Sequence, residues 1–267
     1  MKNTDNINKS SIGIFDSGLG GLSICKELVN KLPNESIIYL ADSKNAPYGE
    51  KDKEEIISLS IKNVELLLKL GCKAIVVACN TATTNSIDLL RDRYNVPFIG
   101  IEPAIKPAAL QTKTRKIGVL ATKGTLTSDL FLTTSNQFRD ELEIIETEGK
   151  NLVRLIEQGE LEKTIPLLEE YILPMVKKGV DNIVLGCTHY PFLIPIIQKM
   201  VPRNITIIDS GEAVAKQTQN VLEENNMLNP KGDNQILNFY TNYDVEVLKQ
   251  FLNRINLISS KVEFKEF

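Results

Sequence analysis

Two short apolar runs, about 108 residues apart, each end in a cysteine followed by small polar residues, and this duplication limits the possible folds more than any other feature. The first is Gly71-Cys72-Lys73-Ala74-Ile75-Val76-Val77-Ala78-Cys79-Asn80-Thr81. The second is Asp181-Asn182-Ile183-Val184-Leu185-Gly186-Cys187-Thr188-His189-Tyr190-Pro191 and contains the chain's single histidine. Each run is too short for a helix and is bounded by turn-prone residues, so each reads as a buried strand that delivers a thiol at its C-terminal end. Around the same offset Ile12-Gly13-Ile14-Phe15 matches Ile117-Gly118-Val119-Leu120, Ile37-Ile38-Tyr39 matches Ile144-Ile145, and Phe98 to Glu102 matches Ile205 to Asp209.

Helical patterns separate these strands: Leu22, Cys25, Leu28 and Val29 follow the first, and Ile56, Ile57, Ile61, Val64, Leu67 and Leu68 form a stripe on a helix expected over 53–70. Strands alternating with helices predict an α/β protein with mostly parallel sheets, here two pseudo-symmetric Rossmann-like or flavodoxin-like domains. Ligands of open α/β sheets bind beyond the C-terminal strand ends, so the site is expected in the cleft between the halves. The crossing is placed near Glu102. The segment after Asp209 has no counterpart in the repeat and is expected to return to the first half. The expected domains are therefore 1–102 with 213–267, and 103–212, with residues 1–10 a flexible tail.

A net charge of −3 provides no electrostatic footprint for nucleic acid, and no run approaches the length of a membrane span or a signal peptide. These features predict a cytoplasmic protein acting on a small molecule. Four cysteines without C-x-x-C spacing and one histidine argue against a structural disulfide or a zinc site. The loop Asp16-Ser17-Gly18-Leu19-Gly20-Gly21 departs from the dinucleotide fingerprint, because Ser23 stands where a third glycine or alanine belongs and Asp16 would repel a pyrophosphate. A carboxylate there suits an ammonium group.

Thiols at equivalent strand ends of two facing halves suit a two-base racemase, in which one base removes an α-proton and the other returns one to the opposite face. A cysteine whose free pKa is about 8.5 can serve in either role. Asn80, Thr81 and Thr188 can hold a substrate carboxylate and Asp16 an ammonium, while the turn Pro47-Tyr48-Gly49 can present backbone N–H groups. His189, two residues from Cys187, is the candidate thiol partner. Thr122 occupies the place of Ser17 in the second half, where no carboxylate matches Asp16. A helix is expected from near Thr83 to Tyr94, and another from after Pro191 to Met200.

Phe15-Asp16-Ser17-Gly18-Leu19-Gly20-Gly21, Ala46-Pro47-Tyr48-Gly49, Ala78-Cys79-Asn80-Thr81-Ala82 and Gly186-Cys187-Thr188-His189-Tyr190-Pro191 resemble, in order and spacing, the signature segments of the bacterial glutamate racemases of the aspartate/glutamate racemase family. The resemblance implies a cofactor-independent enzyme that interconverts L- and D-glutamate for peptidoglycan synthesis, and a homodimer. It implies Cys79 and Cys187 as acid/bases, acting on the D- and L-enantiomer respectively, with Asp16 and His189 assisting. Asp16-Ser17, Tyr48-Gly49, Asn80-Thr81 and Thr188-His189 would hold the substrate. Glu157 matches the family's acid ahead of the second thiol, although Arg154 replaces an expected proline, and Asp42 matches a further family carboxylate.

Overall fold

The computed structural model describes residues 10–230 and 235–267. The expectation of a flexible tail over residues 1–10 therefore falls, except for Ser10, outside the described residues.

The first half opens with β1 (Ile12–Asp16), β2 (Ile37–Ala41), β3 (Ala74–Val77) and β4 (Phe98–Gly100). The second repeats the pattern with β5 (Lys116–Ala121), β6 (Glu143–Glu148), β7 (Asn182–Gly186) and β8 (Thr206–Ile208). The sheet orders are β2-β1-β3-β4 and β6-β5-β7-β8, so the duplicated segments have the same topology, and every pairing is parallel. Parallel strands buried on both faces read as continuous apolar runs, which is how β1, β3 and β7 appear in the sequence.

Among the helices, α1 (Leu22–Lys31), α2 (Lys53–Lys69) and α3 (Asn80–Arg93) belong to the first half. α4 (Ile105–Gln111) follows the crossing. The second half contains α5 (Lys123–Leu126), α6 (Asp129–Asn136), α7 (Leu152–Glu157), α8 (Ile165–Lys177) and α9 (Ile194–Met200). α10 (Gly211–Glu224), β9 (Leu237–Thr241), α11 (Val245–Arg254) and β10 (Lys261–Phe264) complete the chain. α10 packs on α1, and β9 pairs in parallel with β2 and carries β10 at its outer edge. A single apolar cluster runs from Leu22, Tyr39 and Val214 to Leu152, Ile183 and Leu193, joining the two halves.

Three local features differ from the sequence reading. α3 starts at Asn80 instead of near Thr83, because Cys79 is its N-cap and its sulfur accepts from Ala82 N at 3.4 Å. After Cys187 the chain makes a 3-10 turn, Tyr190–Leu193, before α9. α6, capped by Ser128, is an additional helix that its sequence did not reveal, because its apolar residues Leu130, Phe131 and Leu132 are consecutive and show no helical period.

The return of the chain to the first half is secured by a buried charge cluster. Lys73 Nζ lies 2.6 Å from Glu35 and donates to Met227 O and Asn229 Oδ1, while Asn229 N donates to Glu35 at 2.6 Å. Burial draws the Lys73 ammonium below its usual pKa despite the Glu35 charge. Removing one member of such a pair leaves the other charge uncompensated, which costs about 3–5 kcal/mol. Lys73→Met is therefore expected to lower stability by that amount in urea titrations. Near-unchanged stability would show that the cluster does not anchor the return segment.

Candidate active site

The site is assembled from residues at and just beyond the C-terminal ends of strands in both sheets. Asp16 ends β1, Cys79 lies two residues after β3, and Cys187 immediately follows β7. One cavity between the halves is lined by Ser17, Pro47, Tyr48, Gly49, Cys79, Asn80, Thr81, Thr122, Val153, Cys187, Thr188 and His189. Its space for the centres of water molecules is ≈ 10 Å³, about enough for one water. Pro47 and Val153 also border two outer clefts of ≈ 500 and ≈ 270 Å³, and Arg154 lines both. Arg154 forks onto Glu50 across this mouth at 3.1 and 2.5 Å, an exposed pair whose attraction is screened by solvent and adds little to holding the halves together.

Eleven of the residues singled out by sequence thus share one cavity, and the remaining three stand behind its wall. Asp16 is fully buried: its Oδ2 accepts from Gly18 N at 2.9 Å, and its Oδ1 accepts from Thr188 Oγ1 of the other half at 3.2 Å. Burial raises the Asp16 pKa, partly offset by His189 and by backbone N–H groups. Glu157 reaches the cavity through His189, and Asp42 through Tyr48. The lining residue missed by sequence reasoning is Val153, whose apolar side chain carries no chemical signal.

The two thiols have different partners. Cys187 Sγ lies 3.7 Å from His189 Nδ1, and His189 Nε2 lies 2.5 Å from Glu157 Oε1. Glu157 Oε1 also accepts from Leu19 N at 2.6 Å, and Oε2 accepts from Ser43 Oγ at 3.2 Å. Gly20 N also lies 3.2 Å from His189 Nε2, which would need that nitrogen as an acceptor, but the shorter contact to the Glu157 carboxylate requires a proton on Nε2, so His189 Nε2 donates to Glu157. That leaves Nδ1 to exchange a proton with Cys187. Burial opposes charging His189, but its hydrogen bonds to Cys187 and Glu157 outweigh this and hold its pKa well above the usual value. Cys79 has no such base. Its sulfur lies 3.6 Å from Ser17 Oγ, and burial followed by the nearby Asp16 charge raises its pKa, outweighing the Ala82 N–H at the start of α3.

The glycine loop after β1 allows this arrangement. A Cβ on Gly18 would lie 2.2 Å from Glu157 Oε1, and one on Gly20 would lie 2.3 Å from His189 Nδ1. These glycines let the second half's histidine and glutamate sit against the loop backbone. Their absent side chains serve close packing between the halves.

The polar lining includes a further ligand signal. Both polar atoms of the buried Asn80 side chain lack a hydrogen-bond partner, an expensive condition for an amide at a cavity wall. Thr81 and Thr122 meet across the cleft at 2.8 Å, with Thr125 3.0 Å from Thr122. The N–H groups of Tyr48 and Gly49 open a 3-10 turn, Tyr48–Glu50, where no intrahelical acceptor exists. Among the described residues, no group of three or more histidine, cysteine, aspartate or glutamate side chains could hold a metal ion.

This duplicated framework is that of an amino-acid racemase, and the chain belongs to the Asp/Glu/hydantoin racemase family, whose profile matches residues 12–218. A glutamate racemase of Herpetosiphon aurantiacus is 44% identical over 235 residues, 87% of this chain and 92% of that protein. The crystal structure of a glutamate racemase isoform of Bacillus anthracis superposes with a TM-score of 0.86 at 31% identity, covering 97% of this chain and 98% of that one. The Escherichia coli glutamate racemase, solved with L-glutamate and the activator UDP-MurNAc-Ala, gives 0.83 at 32% identity, covering 96% and 98%.

The unequal partners of the thiols predict unequal reactivity within one cavity. Near neutral pH, Cys187 should be alkylated by iodoacetamide about tenfold faster than Cys79, as read by peptide mass spectrometry, because the thiolate is the nucleophile. His189→Asn should remove most of the difference. Equal rates in the unaltered enzyme would mean that His189 does not take the Cys187 proton.

Proposed function

We propose that this enzyme interconverts L- and D-glutamate without a cofactor, by a two-base mechanism in which Cys79 and Cys187 are the catalytic residues. The observation that carries the reading is that the two thiols reach one enclosed cavity from opposite halves of the molecule. The family membership, the names of the relatives and the L-glutamate bound by the E. coli protein support glutamate as the substrate.

In the L-to-D direction Cys187, as thiolate, removes the α-proton. His189 holds the proton formerly on that thiol, oriented by Glu157. The Cys79 thiol gives its proton to the opposite face of the carbanion, leaving inverted glutamate, a protonated Cys187 and a Cys79 thiolate. The D-to-L direction uses the same groups in reverse. Burial, and then the Asp16 charge, favour the thiol form of Cys79, which suits it to donate first.

Asn80 has the unpaired donor and acceptor to meet a substrate carboxylate and ammonium, and Ser17, Thr81, Thr122, Thr188 and the Tyr48 and Gly49 N–H groups supply further hydrogen bonds. The α-proton is weakly acidic, and no pyridine ring is invoked to absorb the negative charge. Fixed donors in a dry site must therefore stabilise it, and each such donor is worth about 10²–10³ in rate. A cavity this small also requires the halves to part for binding and to close for chemistry. No described helix is long and apolar enough to cross a membrane. We place the enzyme in the cytoplasm, as a homodimer supplying D-glutamate to peptidoglycan synthesis.

The test is polarimetric. D-glutamate incubated with the purified enzyme, with chelator present and pyridoxal phosphate absent, should lose its circular dichroism, while D-aspartate should not. Cys79→Ser and Cys187→Ser should each lower turnover by about 10³-fold or more. Near-normal turnover in either variant removes that cysteine from the mechanism, and loss with D-aspartate alone moves the substrate assignment.

A further inference from the structure

We propose that Asn242, in the C-terminal segment that has no counterpart in the repeat, is a positioning residue that fixes the Tyr48-Gly49 side of the substrate cavity through Asp42. The inference rests on the reading of that cavity as the glutamate site.

Asn242 follows β9 and is buried. Its side-chain orientation is set by Lys44 N, which donates to Asn242 Oδ1 at 3.0 Å, so the amide nitrogen faces Asp42. Asn242 Nδ2 donates to Asp42 Oδ1 at 2.5 Å and to Phe267 O at 3.3 Å. Asp42 Oδ1 also accepts from Asn45 Nδ2 at 2.7 Å, while Oδ2 accepts from the Tyr48 hydroxyl and, at 3.4 Å, from Asn63 Nδ2. Every partner of Asp42 donates, so the ionised carboxylate is the form that satisfies them all. Burial raises its pKa, and the Tyr48, Asn242, Asn45 and Asn63 hydrogen bonds oppose that shift.

This arrangement determines how Tyr48 meets a ligand. Its hydroxyl proton is committed to Asp42, and the same oxygen accepts from Asn63 Nδ2 at 3.1 Å. Tyr48 is therefore held as a wall, and its turn offers backbone N–H groups to the substrate. Asn242 binds both ends of the device, since it grips Lys44 N at the start of the Ser43–Gly49 stretch and the carboxylate that anchors the ring at its end. The other charged, polar or titratable groups around it are Lys44, paired with Glu266 at 2.8 Å, Tyr243 and Asp244, which border an outer cleft with Asn242, and Phe267, whose O accepts from Asn242 Nδ2.

Two variants of the full-length enzyme test the proposal, with the unaltered enzyme's glutamate racemisation as the check on the underlying reading. Asn242→Ala removes all three hydrogen bonds, to Lys44 N, Asp42 and Phe267 O, and should raise KM for glutamate about tenfold at every pH, with kcat changed much less. Asn242→Asp keeps the acceptor for Lys44 N and, while protonated, a donor for Asp42. Two carboxylates sharing one proton have one strongly raised apparent pKa. KM of Asn242→Asp should therefore stay near that of the unaltered enzyme at low pH and rise about tenfold as pH increases through that value.

A purely structural role would lower kcat and melting temperature without this pH-dependent KM. KM values unchanged in Asn242→Ala, or a pH profile of Asn242→Asp parallel to that of the unaltered enzyme, would overturn the proposal. Absence of glutamate racemisation in the unaltered enzyme would instead overturn the functional reading on which it rests.

Discussion

The constraint on which the molecule depends is that every strand pairing in both sheets is parallel. A parallel sheet gathers all its strand C-termini at one edge, so each half concentrates its strand-end residues on one side. Here Asp16 and Cys79 come to the edge of one sheet and Cys187, Thr188 and His189 to the edge of the other. Thiols distant in the chain thus meet at one cavity, while the strands behind them remain apolar and fully buried.

Duplication supplies two equivalent positions, and the surroundings make them chemically different. Cys79 caps a fourteen-residue helix, and burial and Asp16 hold its proton. Cys187 leads into a short 3-10 turn, which leaves room for His189 beside the sulfur and Glu157 behind the ring. An enzyme that removes a proton from one face and returns one to the other needs one base and one acid at the start of each turnover. Unequal partnering of two like and similarly buried groups provides that difference.

Contacts between the halves meet at the same site. Thr188 hydrogen-bonds Asp16, Leu19 N holds Glu157, and Gly18 and Gly20 are thin enough for His189 and Glu157 to pack against their backbone. Pairing of the halves therefore orients the proposed acid/base groups, whereas the exposed Arg154–Glu50 pair adds little to their association. The C-terminal segment takes part as well, since its strand widens the first sheet and its Asn242 reaches the carboxylate behind Tyr48.

The sequence alone determined the repeat, its four strands per half and the two thiol positions, because a buried parallel strand is a local apolar run and its end is marked by the first polar residues. It also marked Asn80, Thr81, Thr188 and the Pro47-Tyr48-Gly49 turn, which lie beside those ends. Only the tertiary structure decided that Asp16, Glu157 and Asp42 stand behind the cavity wall and contact it through Thr188, His189 and Tyr48. It alone revealed Val153 and Asn242 at their places, and the packing of the glycine loop against His189 and Glu157. Most of these depend on which groups of one half face the other, and Asn242 on how the returning segment meets the first half. Contacts over separations of 138 to 200 residues leave no periodic trace in the chain.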